Sequence, residues 1–290
     1  MQIISWNCKY FWSPRFYGFS DFKYNKLVTE YPNNDILIIQ EITYQEYIQI
    51  INKYGYIFSD WYCDGKNSIT GIAIFSNKYK IEKLVDNTFN LPFRYIIPYK
   101  IIDLDNRINE YILFSVWTKE YIKNDKLHKY DYVENLIEAV KYYKKINLLN
   151  EKTIIIGDFN SATTKVNIYE SHKILENLLK ELNFSNCSIL NNTNMEYDIT
   201  YIDNYGNGFT NDYCFISNEI VKNKTVSFKI GNKEIWINSD LSDHCPIIVE
   251  FTSLRNSEEL GPILDINSEE SRKQFEEWFL NEEVINLDKK

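Results

Sequence analysis

The chain has few of the residues that cross-link a fold or hold a structural metal cluster. Its five cysteines are scattered through 290 residues, and no two of them form a CxxC pair. Structural zinc sites usually contain such pairs, and disulfide frameworks usually contain an even number of cysteines. We therefore expect free thiols in a reducing compartment, which favours a cytoplasmic location.

Long apolar runs and linkers are missing as well. No apolar run approaches the roughly 20 residues of a membrane-spanning helix. The first residues, Met1–Ile4, contain no basic residue of the kind that opens a secretory signal. No stretch rich in glycine, serine or proline divides the chain. We expect no membrane association, and one domain over residues 1–252 followed by a tail over residues 253–290.

The chain also lacks an excess of positive charge. Its net charge is -9, of which the tail contributes -5 with 5 basic and 10 acidic residues. Nucleic-acid binding usually requires a basic face. The composition therefore gives no support for such a partner, although the main domain, at -4, is only mildly acidic.

The acidic tail contains one helix signal. Asn267 is followed three residues later by Glu270, as in a capping box, and Phe275, Trp278 and Phe279 then form a narrow apolar stripe. The pattern predicts a short helix. We expect it to pack on its own domain, and the alternative is that it docks on a protein partner.

The main domain contains enough apolar residues for a large core, since 44% of the chain is hydrophobic. Short aliphatic runs that predict buried strands alternate with segments of helical periodicity, which indicates an α/β fold. The strands are predicted over 2–7, 35–41, 56–60, 71–75, 81–85, 94–102, 111–118, 153–156, 212–217 and 246–251. The helices are predicted over 20–31, 44–53, 131–145 and 171–182, the last with Ser171 as N-cap and Ile174 on its apolar face.

Polar side chains lie at the ends of five of these strands. They are Asn7, Glu41, Asp158 with Asn160, Asp212, and Asp243 with His244. If the late strands run antiparallel to the early ones, all these positions lie at the same edge of the sheets. We call this edge the rim. Four carboxylates at one rim would repel one another unless a cation compensates them. Carboxylate and amide oxygens suit Mg²⁺ or Mn²⁺, which predicts a metal-assisted phosphate-ester hydrolase.

Five motifs resemble the endonuclease/exonuclease/phosphatase superfamily in residue type and in order. They are Trp6-Asn7, Gln40-Glu41, Gly157-Asp158-Phe159-Asn160, Asp212-Tyr213 and Ser242-Asp243-His244. The resemblance covers about residues 1–252. It implies a four-layer sandwich in which two mixed β-sheets lie face to face and helices flank them.

The resemblance also implies a role for each motif residue. Glu41 would be the main Mg²⁺ ligand, assisted by Asn7 and Asp243. Asp158 would orient or activate the attacking water, and Asn160 would hold the phosphoryl group. His244, oriented by Asp212, would contact the scissile phosphate.

Two positions depart from patterns that occur in this superfamily. Many members have an acid two residues after the first Asn, where this chain has Lys9. Some members have a second active-site histidine in the strand that Val116-Trp117-Thr118 occupies here. The pattern therefore resembles the one-histidine branch of exonuclease III and the apurinic/apyrimidinic endonucleases. We expect Trp117 to be a packed core residue rather than a stacking platform, and Lys119 to be solvated rather than bound to a phosphate.

The sequence thus predicts a Mg²⁺-dependent phosphodiesterase that acts on nucleic acid, and DNA is the favoured substrate. One alternative is a phosphomonoesterase or a lipid or inositol phosphate hydrolase on the same fold. Inositol phosphatases have an Arg soon after the aspartate that corresponds to Asp212, and its absence here counts against that branch. A binding module without catalysis is a second alternative, which the complete set of polar residues disfavours.

Overall fold

The computed structural model describes residues 1–10, 19–65, 68–85, 93–106, 109–119, 121–123, 128–130, 132–161, 169–191 and 199–253. Within this part of the chain, Met1–Thr252 forms one compact unit. The helix predicted in the tail lies outside the described residues, so both it and the division at residue 252 stay predictions.

The first sheet has six strands in the order β15-β16-β1-β2-β4-β3. Its strands are β1 (Gln2–Asn7), β2 (Ile36–Thr43), β3 (Phe58–Tyr62), β4 (Thr70–Ser76), β15 (Lys224–Ile230) and β16 (Ile247–Ser253). β1 runs parallel to β2 and antiparallel to β16. The sequence analysis missed β15, although Val226, Phe228 and Ile230 alternate there with polar residues as in a half-buried strand.

The second sheet also has six strands, in the order β11-β14-β10-β7-β6-β5. Its strands are β5 (Tyr79–Lys83), β6 (Ile96–Asp103), β7 (Glu110–Trp117), β10 (Thr153–Asp158), β11 (Phe184–Asn186) and β14 (Asp212–Ser217). β10 runs parallel to β7 and antiparallel to β14. Each sheet therefore contains one parallel pair, at the centre, and antiparallel pairs around it.

Helices and two short strand pairs complete the described structure. The helices are α1 (Phe19–Glu30), α2 (Tyr44–Tyr54), α3 (Tyr132–Lys145), α4 (Tyr169–Glu181), α5 (Cys187–Leu190), α6 (Asn218–Asn223) and α7 (Lys233–Trp236). β8 (Tyr121–Lys123) pairs with β9 (His128–Tyr130), and β12 (Tyr201–Ile202) pairs with β13 (Gly208–Phe209). The α4 bounds correct one prediction, because Ser171 lies inside the helix and not at its N-cap.

Alternate residues of the strands face different layers. Ile154 and Ile156 of β10 belong to the core between the two sheets, whereas Ile155 packs with α3 and α4 on the outer face. In the first sheet, Ile3 faces the other sheet, while Ile4 packs with α1 and α2. This alternation requires a covered surface on each side of each sheet. The predicted four-layer α/β sandwich is therefore confirmed.

The helix faces also agree with the apolar periodicity, with one exception. In α3 the predicted residues Val133, Leu136 and Val140 are buried. In α4 Leu175 is fully buried, but Ile174, which was predicted on the same face, is 56% exposed. Adjacent residues on a helix are about 100° apart, so a helix that contacts the sheet along a narrow stripe buries only one of the two.

Candidate active site

The strand directions bring every predicted strand-end residue to one rim. Asn7 ends β1 and Asp158 ends β10, whereas Asp212 begins the antiparallel strand β14. Asp243 and His244 precede β16, which runs antiparallel to β1. The ends of the early strands and the starts of the late strands therefore lie together, as the strand pattern required.

Glu41 does not end its strand as predicted. β2 continues to Thr43, and its register with β4 shifts between Gln40 and Ile42. Glu41 is the extra residue of this β-bulge and has a φ of 60°. A bulge turns one side chain away from the regular alternation and is frequent beside functional sites. A capping box between Thr43 and Glu46 starts α2 directly afterwards, which fixes the chain that follows Glu41.

The loop after β10 depends on a glycine. Gly157 has a φ of 147°, and a Cβ atom added there would lie 1.9 Å from the carbonyl oxygen of Val116. Only glycine allows β10 to approach β7 this closely immediately before Asp158. Asn160 then has a φ of 48°, a left-handed conformation that asparagine tolerates better than most residues.

The amide of Asn7 connects carboxylates from both sheets. Its Nδ2 donates to Glu41 Oε1 at 3.1 Å and to Asp158 Oδ2 at 3.0 Å. Asn160 donates to the same Asp158 carboxylate through Nδ2 at 3.0 Å and through its backbone N–H at 2.8 Å. Asn160 Nδ2 is also 3.1 Å from the carbonyl oxygen of Thr118. Asp158 is therefore held from two sides in a fixed orientation.

His244 and Asp212 form a buried pair on the other side of Asp158. His244 Nδ1 lies 2.9 Å from Asp212 Oδ2, and the two residues are 4% and 1% exposed. His244 is further positioned through its backbone, which accepts a hydrogen bond from Trp6 Nε1 at 3.0 Å. A carboxylate at Nδ1 fixes the tautomer and leaves Nε2 as the nitrogen that can exchange a proton with a ligand.

Burial and mutual repulsion change the acidity of the two central groups. Burial raises the pKa of Asp158 to about 7, and the charge of Asp212 adds to this effect while His244 opposes it. Burial alone would lower the pKa of His244, but the charges of Asp212 and Asp158 outweigh it and raise that pKa to about 10. A raised carboxyl pKa beside a charged imidazole marks a group of coupled titratable residues, which is typical of catalytic sites.

Two groups of residues offer ligands for a cation. The nearest ligand atoms of Asp158, Asp212 and His244 lie within 4.8 Å of one another. Glu41 is more accessible, with Asn7 beside it. Asp212 Oδ1 is buried and has no hydrogen-bond partner among the described residues, so the rim has an acceptor that a ligand can satisfy. A hard divalent cation fits this donor set, which is dominated by oxygen atoms.

Asp243, the third predicted metal ligand, contacts a lysine. Its Oδ2 lies 2.7 Å from Lys9 Nζ, and both side chains are partly exposed. Lys9 occupies the position where an acid is frequent in the superfamily, and it reaches Asp243 from a left-handed backbone conformation with a φ of 44°. A fixed positive charge therefore lies within the rim itself.

Sequence reasoning missed the lysine that supports this loop. Lys23 of α1 is only 5% exposed and donates to the backbone carbonyl oxygens of Cys8, at 2.7 Å, and Lys9, at 3.1 Å. Its position four residues before the buried Leu27 places both on one helix face. That spacing was the available signal, and it would have distinguished Lys23 from a solvated lysine.

Comparison with known proteins identifies the family. The model of the Endonuclease/Exonuclease/phosphatase family matches residues 4–244. The chain belongs to this family. A comparison with curated proteins finds no match.

None of the helices in the described part of the chain is long and apolar enough to cross a membrane.

Solved structures share the fold at low sequence identity. A 3′ phosphatase from Neisseria bound to a product DNA hairpin is 15% identical with a TM-score of 0.61, covering 87% of this chain and 99% of its own. An AP endonuclease from Archaeoglobus fulgidus is 17% identical with a TM-score of 0.59, and the coverage is the same. Truncated TDP2 from Caenorhabditis elegans is 15% identical with a TM-score of 0.57, covering 87% of this chain and 97% of its own.

The close approach at Gly157 leads to a stability prediction. Gly157→Ala should lower the free energy of unfolding by at least ~1 kcal/mol, because the added methyl group must displace the Val116 backbone and the residue has a positive φ. Gly206→Ala is the matched control, since its φ is 83° and nothing lies within 4 Å of the added atom. Urea denaturation measures both variants, and equal losses would show that the contact with β7 contributes nothing.

Proposed function

We propose that the chain is a Mg²⁺-dependent phosphodiesterase that hydrolyses nucleic acid, with DNA as the favoured substrate, through the residues of this rim. The observation that carries the proposal is the continuous set of contacts from Glu41 through Asn7, Asp158 and Asn160, with the His244–Asp212 pair beside it. Similar structures include a 3′ phosphatase bound to a product DNA hairpin and an AP endonuclease, which supports a nucleic-acid substrate.

Glu41 is the proposed main ligand of the metal, with Asn7 and Asp243 assisting. A bound Mg²⁺ supplies positive charge that stabilises the phosphoryl oxygens. Asn7 keeps Glu41 in place by the hydrogen bond from Nδ2, while its Oδ1 accepts from the backbone N–H of Lys9 at 3.0 Å. The ion pair with Lys9 holds Asp243 at the rim and lowers the net negative charge that a phosphate meets there.

Asp158 is the proposed base that orients and deprotonates the attacking water. Its two oxygens accept three hydrogen bonds from Asn7 and Asn160, which fixes the direction of the carboxylate. A pKa near 7 suits a group that takes up a proton at neutral pH. Asn160 is the proposed donor to the phosphoryl group, and its hydrogen bonds to Thr118 and Asp158 set its position before substrate binds.

His244 is the proposed contact to the scissile phosphate. In its charged form it stabilises the negative charge that develops during the reaction, and it can donate a proton to the leaving oxygen. Asp212 keeps the ring charged and oriented. β7 contributes the buried Trp117 where some members of the superfamily have a second histidine, so this role is assigned to His244 alone.

A substrate panel tests the proposal. We expect the protein to cleave a labelled DNA oligonucleotide in Mg²⁺ buffer and to lose all turnover when EDTA is added. The panel also contains an RNA oligonucleotide, a soluble inositol phosphate and a 3′-phosphorylated DNA, with released fragments and inorganic phosphate as readouts. Phosphate release from the inositol ester with intact oligonucleotides would contradict the proposal, and so would binding of DNA without any turnover.

Removal of one carboxylate tests the metal assignment. Glu41→Gln should weaken Mg²⁺ binding by at least about 10- to 100-fold. That is the usual loss when a residue that only orients a metal ligand is removed, and Glu41 is a proposed ligand itself. Isothermal titration of Mg²⁺ measures this directly, and cleavage should require correspondingly more Mg²⁺. Asp158→Asn is the comparison variant. If it alone lost Mg²⁺ affinity, the ion would bind at the group formed by Asp158, Asp212 and His244 instead.

The contact between His244 and Asp212 predicts non-additive effects on rate. His244→Ala and Asp212→Asn should each lower kcat/KM by about 10² to 10⁴, the usual contribution of acid–base help. The double variant should lose little more, because the two residues act as one unit. Single-turnover cleavage assays give the three values, and losses that multiply in full would mean that the residues act independently.

A further inference from the structure

Lys119 lies beside the rim on the faces of two aromatic rings. Its Nζ is 3.6 Å from the ring centroid of Trp117 and 4.3 Å from that of Tyr95. The two rings meet edge to face with centroids 4.9 Å apart. Aromatic faces attract cations, and a cation held by two rings is confined to a small volume. Lys119 remains partly exposed, but its ammonium group is held against two rings and is not free in solvent.

The backbone around Lys119 is part of the same structure as the proposed catalytic loop. Asp158 pairs with Trp117 in the register of β10 and β7. Thr118 donates its N–H to the carbonyl oxygen of Asp158 at 3.0 Å and accepts from Asn160 Nδ2 at 3.1 Å. On the other side, the carbonyl oxygen of Lys119 accepts a hydrogen bond from the side chain of Asn135. The backbone of Lys119 is thus fixed relative to Asp158 and Asn160, and the two rings hold its ammonium group.

The charges around Lys119 leave it available to an anion. Within the described part of the chain, Lys119 makes no ion pair. Burial lowers its pKa, and the charges of Asp64 and Glu41 oppose that effect, which places Lys119 within electrostatic reach of the proposed metal ligand. Asp64 is already bound by Ser68 Oγ at 2.6 Å and Tyr95 Oη at 2.7 Å, and it faces Arg94 at 3.7 Å.

The aromatic residues in this cluster support the lysine and do not present a stacking surface. Trp117 is 5% exposed and Tyr95 is 3% exposed, and both belong to the core between the sheets. A base requires an open ring face for stacking. A ligand at the rim can therefore contact the ammonium group of Lys119 but cannot stack on these two rings.

We propose that Lys119 is the subsite for the phosphate next to the scissile phosphate of a polynucleotide, and that it makes the enzyme prefer chains over isolated phosphate esters. The inference rests on the proposed function and adds a specificity-determining residue to it. Contact with a phosphate and not with a base makes this preference independent of sequence. The subsite also provides local positive charge that the acidic composition does not predict.

The test compares a substrate that has a neighbouring phosphate with one that lacks it. Lys119→Gln should raise KM for a DNA oligonucleotide roughly 10-fold or more, because a hydrogen bond to a charged group is lost, and should leave kcat unchanged. The log–log salt dependence of oligonucleotide binding should become shallower by about 0.7 to 0.9. For bis(4-nitrophenyl) phosphate, a diester with a single phosphate, kcat/KM should not change.

Two further variants control for charge and for packing. Lys119→Arg keeps the charge and should restore most of the affinity, since arginine also binds aromatic faces. Lys78→Gln removes a lysine that lies 5.9 Å from the Tyr79 ring, at the end of the sheets opposite the rim. This variant should change neither KM nor the salt dependence. Thermal melting of each variant shows whether it is folded. If Lys119→Gln is unfolded, Lys119→Met replaces it in all assays.

The possible outcomes separate this inference from the proposed function. Equal losses on the oligonucleotide and on the single diester would overturn the subsite, because Lys119 would then act on the reacting centre or on the fold. An unchanged KM and salt dependence would overturn it as well. If wild-type protein cleaves neither substrate, the proposed function fails, and fluorescence anisotropy with the oligonucleotide decides the subsite. A loss of affinity in Lys119→Gln but not in Lys78→Gln supports it, whereas equal or absent binding overturns it.

Discussion

The two hydrogen bonds of the Asn7 amide are the interaction on which the site depends most directly. Asn7 belongs to the first sheet and Asp158 to the second, and Nδ2 of Asn7 reaches both Glu41 and Asp158. An amide donates without adding charge, so it can connect two carboxylates that would otherwise repel each other. The apolar core between the sheets fixes the distance between them. The hydrogen bonds from Asn7 then fix the position of Glu41 relative to Asp158.

Charge compensation is the second constraint on the rim. Glu41, Asp158, Asp212 and Asp243 converge there, and three cationic side chains oppose them within the described structure. His244 pairs with Asp212, and Lys9 pairs with Asp243. Lys23 donates hydrogen bonds to the backbone carbonyl oxygens of Cys8 and Lys9. Fixed charges of this kind allow the carboxylates to remain close before a cation or a substrate binds.

The family assignment and the detailed geometry come from different observations. The family match spans residues 4–244, whereas the three solved structures described above are 15% to 17% identical to the chain. Identity at that level establishes the fold and leaves the surface around the rim free to vary. The lysines at positions 9, 23 and 119 are features of this chain that its own contacts describe, and Lys9 adds a positive charge at the rim.

The sequence by itself determined the α/β layers, because continuous aliphatic runs require a strand that is buried on both faces, whereas helical periodicity gives each helix one buried face. It also indicated that Asn7, Asp158 and Asp212 lie at strand ends, and the order of Asn7, Glu41, Asp158 and His244 was sufficient to indicate the family. The tertiary structure decided the rest. The bulge at Glu41, the exposure of Ile174, the burial of Lys23 and the ring contacts of Lys119 depend on contacts between segments far apart in the chain. Local patterns describe one element at a time, so they cannot specify which side chain a neighbouring element covers.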